Sequence, residues 1–113
     1  MKNAPKYQHV AELAAERGIA TFVVDPLGQG ERAQCTEDLD GRTTAAHLRL
    51  GVHAMLLGHG LAAFQMWDAI RALDYLDSRA DLRHDGYGAL GNSGGGTQSV
   101  MLSALDDRIT LIS

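Results

Sequence analysis

The stretch Tyr87-Gly88-Ala89-Leu90-Gly91-Asn92-Ser93-Gly94-Gly95-Gly96-Thr97-Gln98 decides how this 113-residue chain is read. Within it, Gly91 to Gly95 fits the pattern G-x-S-x-G. A serine that must act as a nucleophile projects from a sharp, strained strand-to-helix turn. Small neighbours two residues before and two after keep that turn free of collisions. Ser93 is then the candidate nucleophile, with Gly91, Asn92 and Gly95 shaping the elbow. The N–H of the next residue, Gly94, is placed to hold a developing oxyanion. The positive end of the helix beyond it adds to this. With the chain's own Gly and Ser frequencies, a chance match has a probability of roughly 6%, so the pentapeptide alone is a weak signal. A glycine-rich turn or a phosphate-cradling loop would look similar. The phosphate loop requires Lys before Ser/Thr, and Gly96-Thr97 lacks it.

The flanks supply the context. Tyr87 to Leu90 is a short strand candidate, made marginal by Gly88. Thr97 to Leu105 is predicted to be a helix, with Val100, Met101, Ala104 and Leu105 apolar. Asp106-Asp107-Arg108 is a turn, and Ile109 to Ile112 begins another strand. Further upstream, Leu61 to Ser78 is the best helix in the chain. Ala63, Met66, Ile70, Leu73 and Leu76 fall near one stripe at steps of three or four, and Asp68, Arg71 and Asp74 are spaced for ion pairs on another face. His47 to Leu57 is apolar enough for a helical turn or two, interrupted by Gly58 and Gly60. Ile19 to Val24, apolar and β-branched without alternation, suits a strand buried on both faces. Val10 to Arg17 is a short helix stopped by Gly18. Leu27 to Thr44 is a long loop, a length that is usually functional, disordered or partly structured. Strands alternating with helices imply an α/β fold with parallel strands and crossover helices.

Composition narrows the classes. Hydrophobic residues make up 45% and charged residues 21% of the chain, which is globular composition. A net charge of -4 leaves no electrostatic footprint for nucleic acid or an anionic membrane. One cysteine excludes a disulfide framework within the chain and a cysteine-based zinc site. No apolar run approaches a membrane span, and Met1 to His9 lacks the apolar core of a signal peptide. The compartment stays open.

Other residues invite chemistry and mostly have plainer explanations. Gly28-Gln29-Gly30-Glu31-Arg32-Ala33 matches G-x-G-x-x-A, but a dinucleotide site needs an apolar helix opening there, and polar residues follow instead. His47, His53 and His59 recur every six residues, a spacing that splays them around a helix rather than gathering them on a metal. One of them standing in for a catalytic histidine is the remoter alternative. Trp67 is expected to pack. Arg71 and Asp74 are expected to pair. Asp25 ends the Ile19–Val24 segment, where α/β sheets bind ligands; the habit of aspartate in turns favours a local backbone bond instead. Cys35 has no sequence neighbour that completes a nucleophilic pair.

Three blocks carry a resemblance: Asp25-Pro26-Leu27-Gly28-Gln29-Gly30-Glu31-Arg32; Trp67-Asp68-Ala69-Ile70-Arg71-Ala72-Leu73-Asp74-Tyr75-Leu76; and Gly91-Asn92-Ser93-Gly94-Gly95-Gly96-Thr97-Gln98 with Ala104-Leu105-Asp106-Asp107-Arg108-Ile109. Together they resemble the α/β-hydrolase superfamily, in its acetyl xylan esterase-like and dienelactone hydrolase/prolyl oligopeptidase-related branch, from about Tyr7 to Ser113. The resemblance implies a partial α/β-hydrolase fold with the nucleophile elbow between a strand and a helix. It implies a serine esterase acting on a small-molecule or carbohydrate acetyl ester, with no metal or organic cofactor. In that family the acid and then the histidine follow the serine; here no histidine follows Ser93, and Asp106 and Asp107 match the turn after the nucleophile helix. Residues 1–113 are therefore expected to be one incomplete domain, the central slice, inactive alone and self-associating through exposed sheet edges. A strand richer in β-branched residues is usual where this chain has Gly86-Tyr87-Gly88-Ala89-Leu90. The alternatives are a non-catalytic fragment or binding relic, a peptidase of the prolyl oligopeptidase type, or a nucleotide-binding module using Gly28 and Gly30.

Overall fold

Pro5 opens the first helix, α1 (Pro5–Ala15), earlier than the apolar pattern from Val10 suggests. Proline pre-sets φ, and its missing N–H has no partner to lose in the first turn. The helix closes with two bonds, Gly18 N–H to Ala15 O at 2.9 Å and Ile19 N–H to Ala14 O at 3.0 Å. These are the paired bonds of a Schellman motif, with Gly18 at φ 73°. The computed structural model describes residues 2–34, 43–83 and 85–113. They fall into two units, Met1–Gly58 and His59–Ser113. Cys35 and the remainder of the loop through Arg42 lie outside the described residues.

In the first unit, Ile19 to Val24 is not a strand. Ile19, Phe22 and Val24 are exposed, which corrects the expectation of burial on both faces. Strand propensity becomes a strand only where a neighbour completes the ladder. The chain then turns through a three-residue 3-10 helix, Gly30–Arg32. Helix α2 (Thr43–Leu56) starts four residues before the predicted His47. The core here is thin. Ala46 and Ala54 are buried, and the Gly28 backbone packs on Leu50 and Ala46 so closely that a β-carbon would sit 2.6 Å from Leu50 Cδ1.

The second unit carries the α/β architecture. Helix α3 (Leu61–Asp77) matches its predicted span to one residue. Strand β1 (Tyr87–Ala89), helix α4 (Gly94–Leu105) and strand β2 (Ile109–Ile112) follow in order. β1 and β2 pair in parallel, with Tyr87 opposite Ile109, Gly88 opposite Leu111 and Ala89 opposite Ile112, and an irregularity after Tyr87. Two parallel strands joined through α4 make one β–α–β unit. Met66 and Leu73 of α3 and Leu102 of α4 form the core, flanked by Ile70, Leu76, Tyr87 and Ile109. Each buried side chain of that size contributes about 1.5–3 kcal/mol. Ala63, at the start of the predicted α3 stripe, is exposed. On α4 the side chains turned inward are Ser99 and Leu102, while Val100, Met101 and Leu105 face outward. Among the described residues, no helix is long and apolar enough to cross a membrane.

Candidate active site

The β–α–β unit places Ser93 between the end of β1 and the start of α4. The ladder runs on to the edge of the turn: Ser113 N–H donates to Ala89 O and Gly91 N–H to Ser113 O, both at 3.1 Å. The chain then reverses within three residues. Gly95 N–H closes onto Asn92 O at 3.0 Å, and Thr97 N–H onto Ser93 O at 3.1 Å. Ser93 absorbs the reversal at φ 55°, ψ −116°. Among the described residues it is the sole non-glycine with positive φ. Such a conformation costs on the order of 1–3 kcal/mol and persists only where its surroundings enforce it.

The enforcement comes from glycine, though not at both predicted positions. A β-carbon at Gly91 would collide with the carbonyl group of Gly95 and lie 2.6 Å from Gly96 N. At Gly95 an added β-carbon meets open space. The tight downstream neighbour is Gly96, whose β-carbon would press on Gly91 O at 3.2 Å. The close approach of the two backbones therefore requires a glycine at 91, while the side-chain position at 95 is free. Helix α4 begins at Gly94, three residues before the predicted Thr97, because the turn's hydrogen bonds overcome the poor helix propensity of three consecutive glycines.

Asn92, Ser93 and Gly94 are exposed. Gly94 is the first residue of α4, so its N–H has no intrahelical acceptor and points to where the helix dipole is positive. Among the described residues none is hydrogen-bonded to the Ser93 hydroxyl. An open apolar groove of about 420 Å³, lined by Met66, Trp67, Ile70, Met101 and Leu105 among others, includes no elbow residue.

The remaining candidates have structural roles. Asp25 is buried and accepts hydrogen bonds from Lys2 N–H at 2.8 Å and Glu31 N–H at 3.3 Å. It sits against Gly30, where no β-carbon fits. Gly28 to Ala33 has neither the preceding strand nor the opening α-helix that a dinucleotide site needs. His47 pairs with Gln29 at 2.7 Å, and the His59 ring packs edge-on against Phe64. Among the described residues no group of His, Cys, Asp and Glu is placed to hold a metal ion. Trp67, expected to pack, is 61% exposed and lies under the Arg71 guanidinium at 4.7 Å from its ring centre. Arg71 also pairs with Asp74 at 2.8 Å.

Two features of this region escaped the pattern. The first is Ser99, buried, whose hydroxyl donates to Gly95 O at 3.0 Å. A serine four residues after a glycine inside an apolar helix is its only sequence signal. The second is Arg108, the residue just before β2. Its guanidinium grips Asp106 with two bonds, Nε to Oδ1 at 2.8 Å and Nη2 to Oδ2 at 2.6 Å. It also bonds Asp74 and Asp77 of α3, and Tyr87 OH donates to Asp77 at 2.6 Å. Arg108 holds the Asp106 carboxyl below its usual range. The bond to Asp77 pushes the Tyr87 phenol up. The network joins the ends of α3, β1 and β2 below the elbow.

The chain is 40% identical over 92 residues to YtaP of Bacillus subtilis (strain 168), a protein provisionally named a hydrolase. The match covers 81% of this chain and 27% of YtaP, so the chain spans about a quarter of that relative's length. No family model matches the chain, and no solved structure matches it. The similarity extends to a hydrolase in sequence, and the small α/β fold is read from this chain's own β1, α4 and β2.

Proposed function

We propose that Ser93 is the nucleophile of a serine hydrolase of the α/β-hydrolase type, acting on carboxylic esters. The observation that carries this is the strained backbone of Ser93, at φ 55° between a parallel strand and its crossover helix. Strain of this kind has a use where a hydroxyl must be presented clear of its own chain. The similarity to YtaP supports hydrolysis as the reaction class.

In the proposed reaction, Ser93 Oγ attacks the ester carbonyl carbon. Its proton passes through a general base to the departing alcohol oxygen as the C–O bond breaks. Gly94 N–H takes part of the negative charge on the carbonyl oxygen. Water then cleaves the acyl-serine, releasing the acid and restoring the hydroxyl. The step needs a histidine and a carboxylate, and all five histidines of the chain precede Ser93. An acetyl ester of a carbohydrate is the preferred substrate on family resemblance.

The test is labelling of the whole protein by a fluorophosphonate, with S93A as control. Covalent modification mapped to Ser93 and abolished in S93A is expected. An unlabelled Ser93 in a folded whole protein would sink the proposal. A second reading, a chain that binds or scaffolds without catalysis, is favoured by the absence of a hydrogen-bonded base at the Ser93 hydroxyl among the described residues, and the same experiment separates the two.

A further inference from the structure

We infer that Ser99 is a positioning residue that holds Ser93 in its elbow conformation; the inference rests on Ser93 being the nucleophile. Ser99 is one of two buried polar residues among those described, at 7% exposure, and nothing in the proposed reaction uses it. A buried hydroxyl requires a partner, and this one donates to Gly95 O at 3.0 Å. That carbonyl is the group against which the Gly91 backbone is seated, leaving no room for a β-carbon. The start of α4 would otherwise be its least secure turn. Gly94, Gly95 and Gly96 each favour the unfolded backbone relative to alanine, and Ser93 provides no side-chain cap. The Ser99 hydroxyl adds a second donor to a carbonyl that the helix backbone alone would hold. It therefore ties the glycine turn to the buried face of α4, on the same side as Leu102. Loosening Gly95 removes the surface against which Gly91 is seated, and with it the restraint on Ser93.

The experiment is backbone NMR of the full chain as wild type, S99A and S99T. Expected in S99A is a fall of about fivefold in the ratio of elbow to relaxed conformers, the factor one ordinary hydrogen bond supplies. It would be read from the chemical shifts and three-bond couplings of Asn92, Ser93 and Gly94. The resonances of β1 and β2 should hold, and S99T, which keeps the hydroxyl, should restore the elbow signals. The inference is overturned if S99A leaves Asn92 to Gly94 unmoved, or if S99T fails to restore them. It is equally overturned if S99A collapses the β1 and β2 resonances together with the elbow, since Ser99 would then be a general packing residue. The readout is conformation, not turnover. A failure to label Ser93 with these NMR results intact would remove the proposed function and leave the coupling standing.

Discussion

A β-carbon at position 91 has no space, while one at position 95 does, although the pattern G-x-S-x-G treats the two as equals. G91A is expected to destabilise the His59–Ser113 unit by about 1–3 kcal/mol, the range for forced overpacking, and to abolish labelling of Ser93. G95A is expected to be neutral or to stabilise α4 by up to about 1 kcal/mol, the helix preference of alanine over glycine. Urea unfolding of both variants checks the contrast. S93G should relieve the positive φ. The strain of about 1–3 kcal/mol exceeds the entropic cost of a glycine, about 0.5–1 kcal/mol. A raised melting temperature alongside complete loss of labelling is therefore expected, and an unchanged or lowered one would show that the elbow stores little strain. At this scale the sequence made the need for small residues legible and left their division of labour hidden. Whether a glycine yields to a neighbouring backbone, as Gly91 does to Gly95, depends on a distance across the turn that no spacing encodes.

The ends of α3, β1 and β2 are held by Arg108, and the network makes a pH prediction. The folded Asp106 pKa lies below its unfolded value. Its contribution to stability is complete above the ordinary carboxylate pKa of about 3.9 and is lost as pH falls through the depressed value. Tyr87 behaves oppositely. Its raised pKa gives a contribution that is complete below about pH 10 and lost as pH rises through the folded value. Denaturation midpoints of the chain should therefore fall at both ends of the scale. R108M should flatten the acid limb and Y87F the alkaline one; an acid limb unchanged in R108M would show that other carboxylates govern it. The elements themselves were unevenly legible. α3 and β2 follow their predicted spans almost to the residue, because Met66 and Leu73 bury where the period puts them and Ile109, half-buried, packs against them. Ile19 to Val24 has the composition of a strand without a ladder. The grip of Arg108 on α3 links residues 31 and 34 positions apart, beyond any local pattern.

Among the described residues, large apolar side chains are more often shown than hidden. Leu48, Met55, Leu56 and Leu57 of the first unit are each more than 70% exposed, and Trp67, Leu105 and Leu111 of the second more than 60%. A two-stranded parallel sheet also leaves both edges unpaired, and such sheets are ordinarily covered on both faces. Concentration-dependent self-association is therefore expected. Sedimentation velocity across a concentration series would detect it, and L111K should reduce it if the β2 edge is the contact. A chain that sediments as a monomer throughout the series would contradict the expectation.

The seat of Gly91 against Gly95 also has a reading in codons. Every missense single-base change of a glycine codon introduces a residue with a β-carbon, so position 91 has no tolerated genetic neighbour. Gly94 and Gly95, three and four codons later, open into empty space and can drift. A saturation library selected for folded protein should return an almost empty column at 91 beside well-filled ones at 94 and 95.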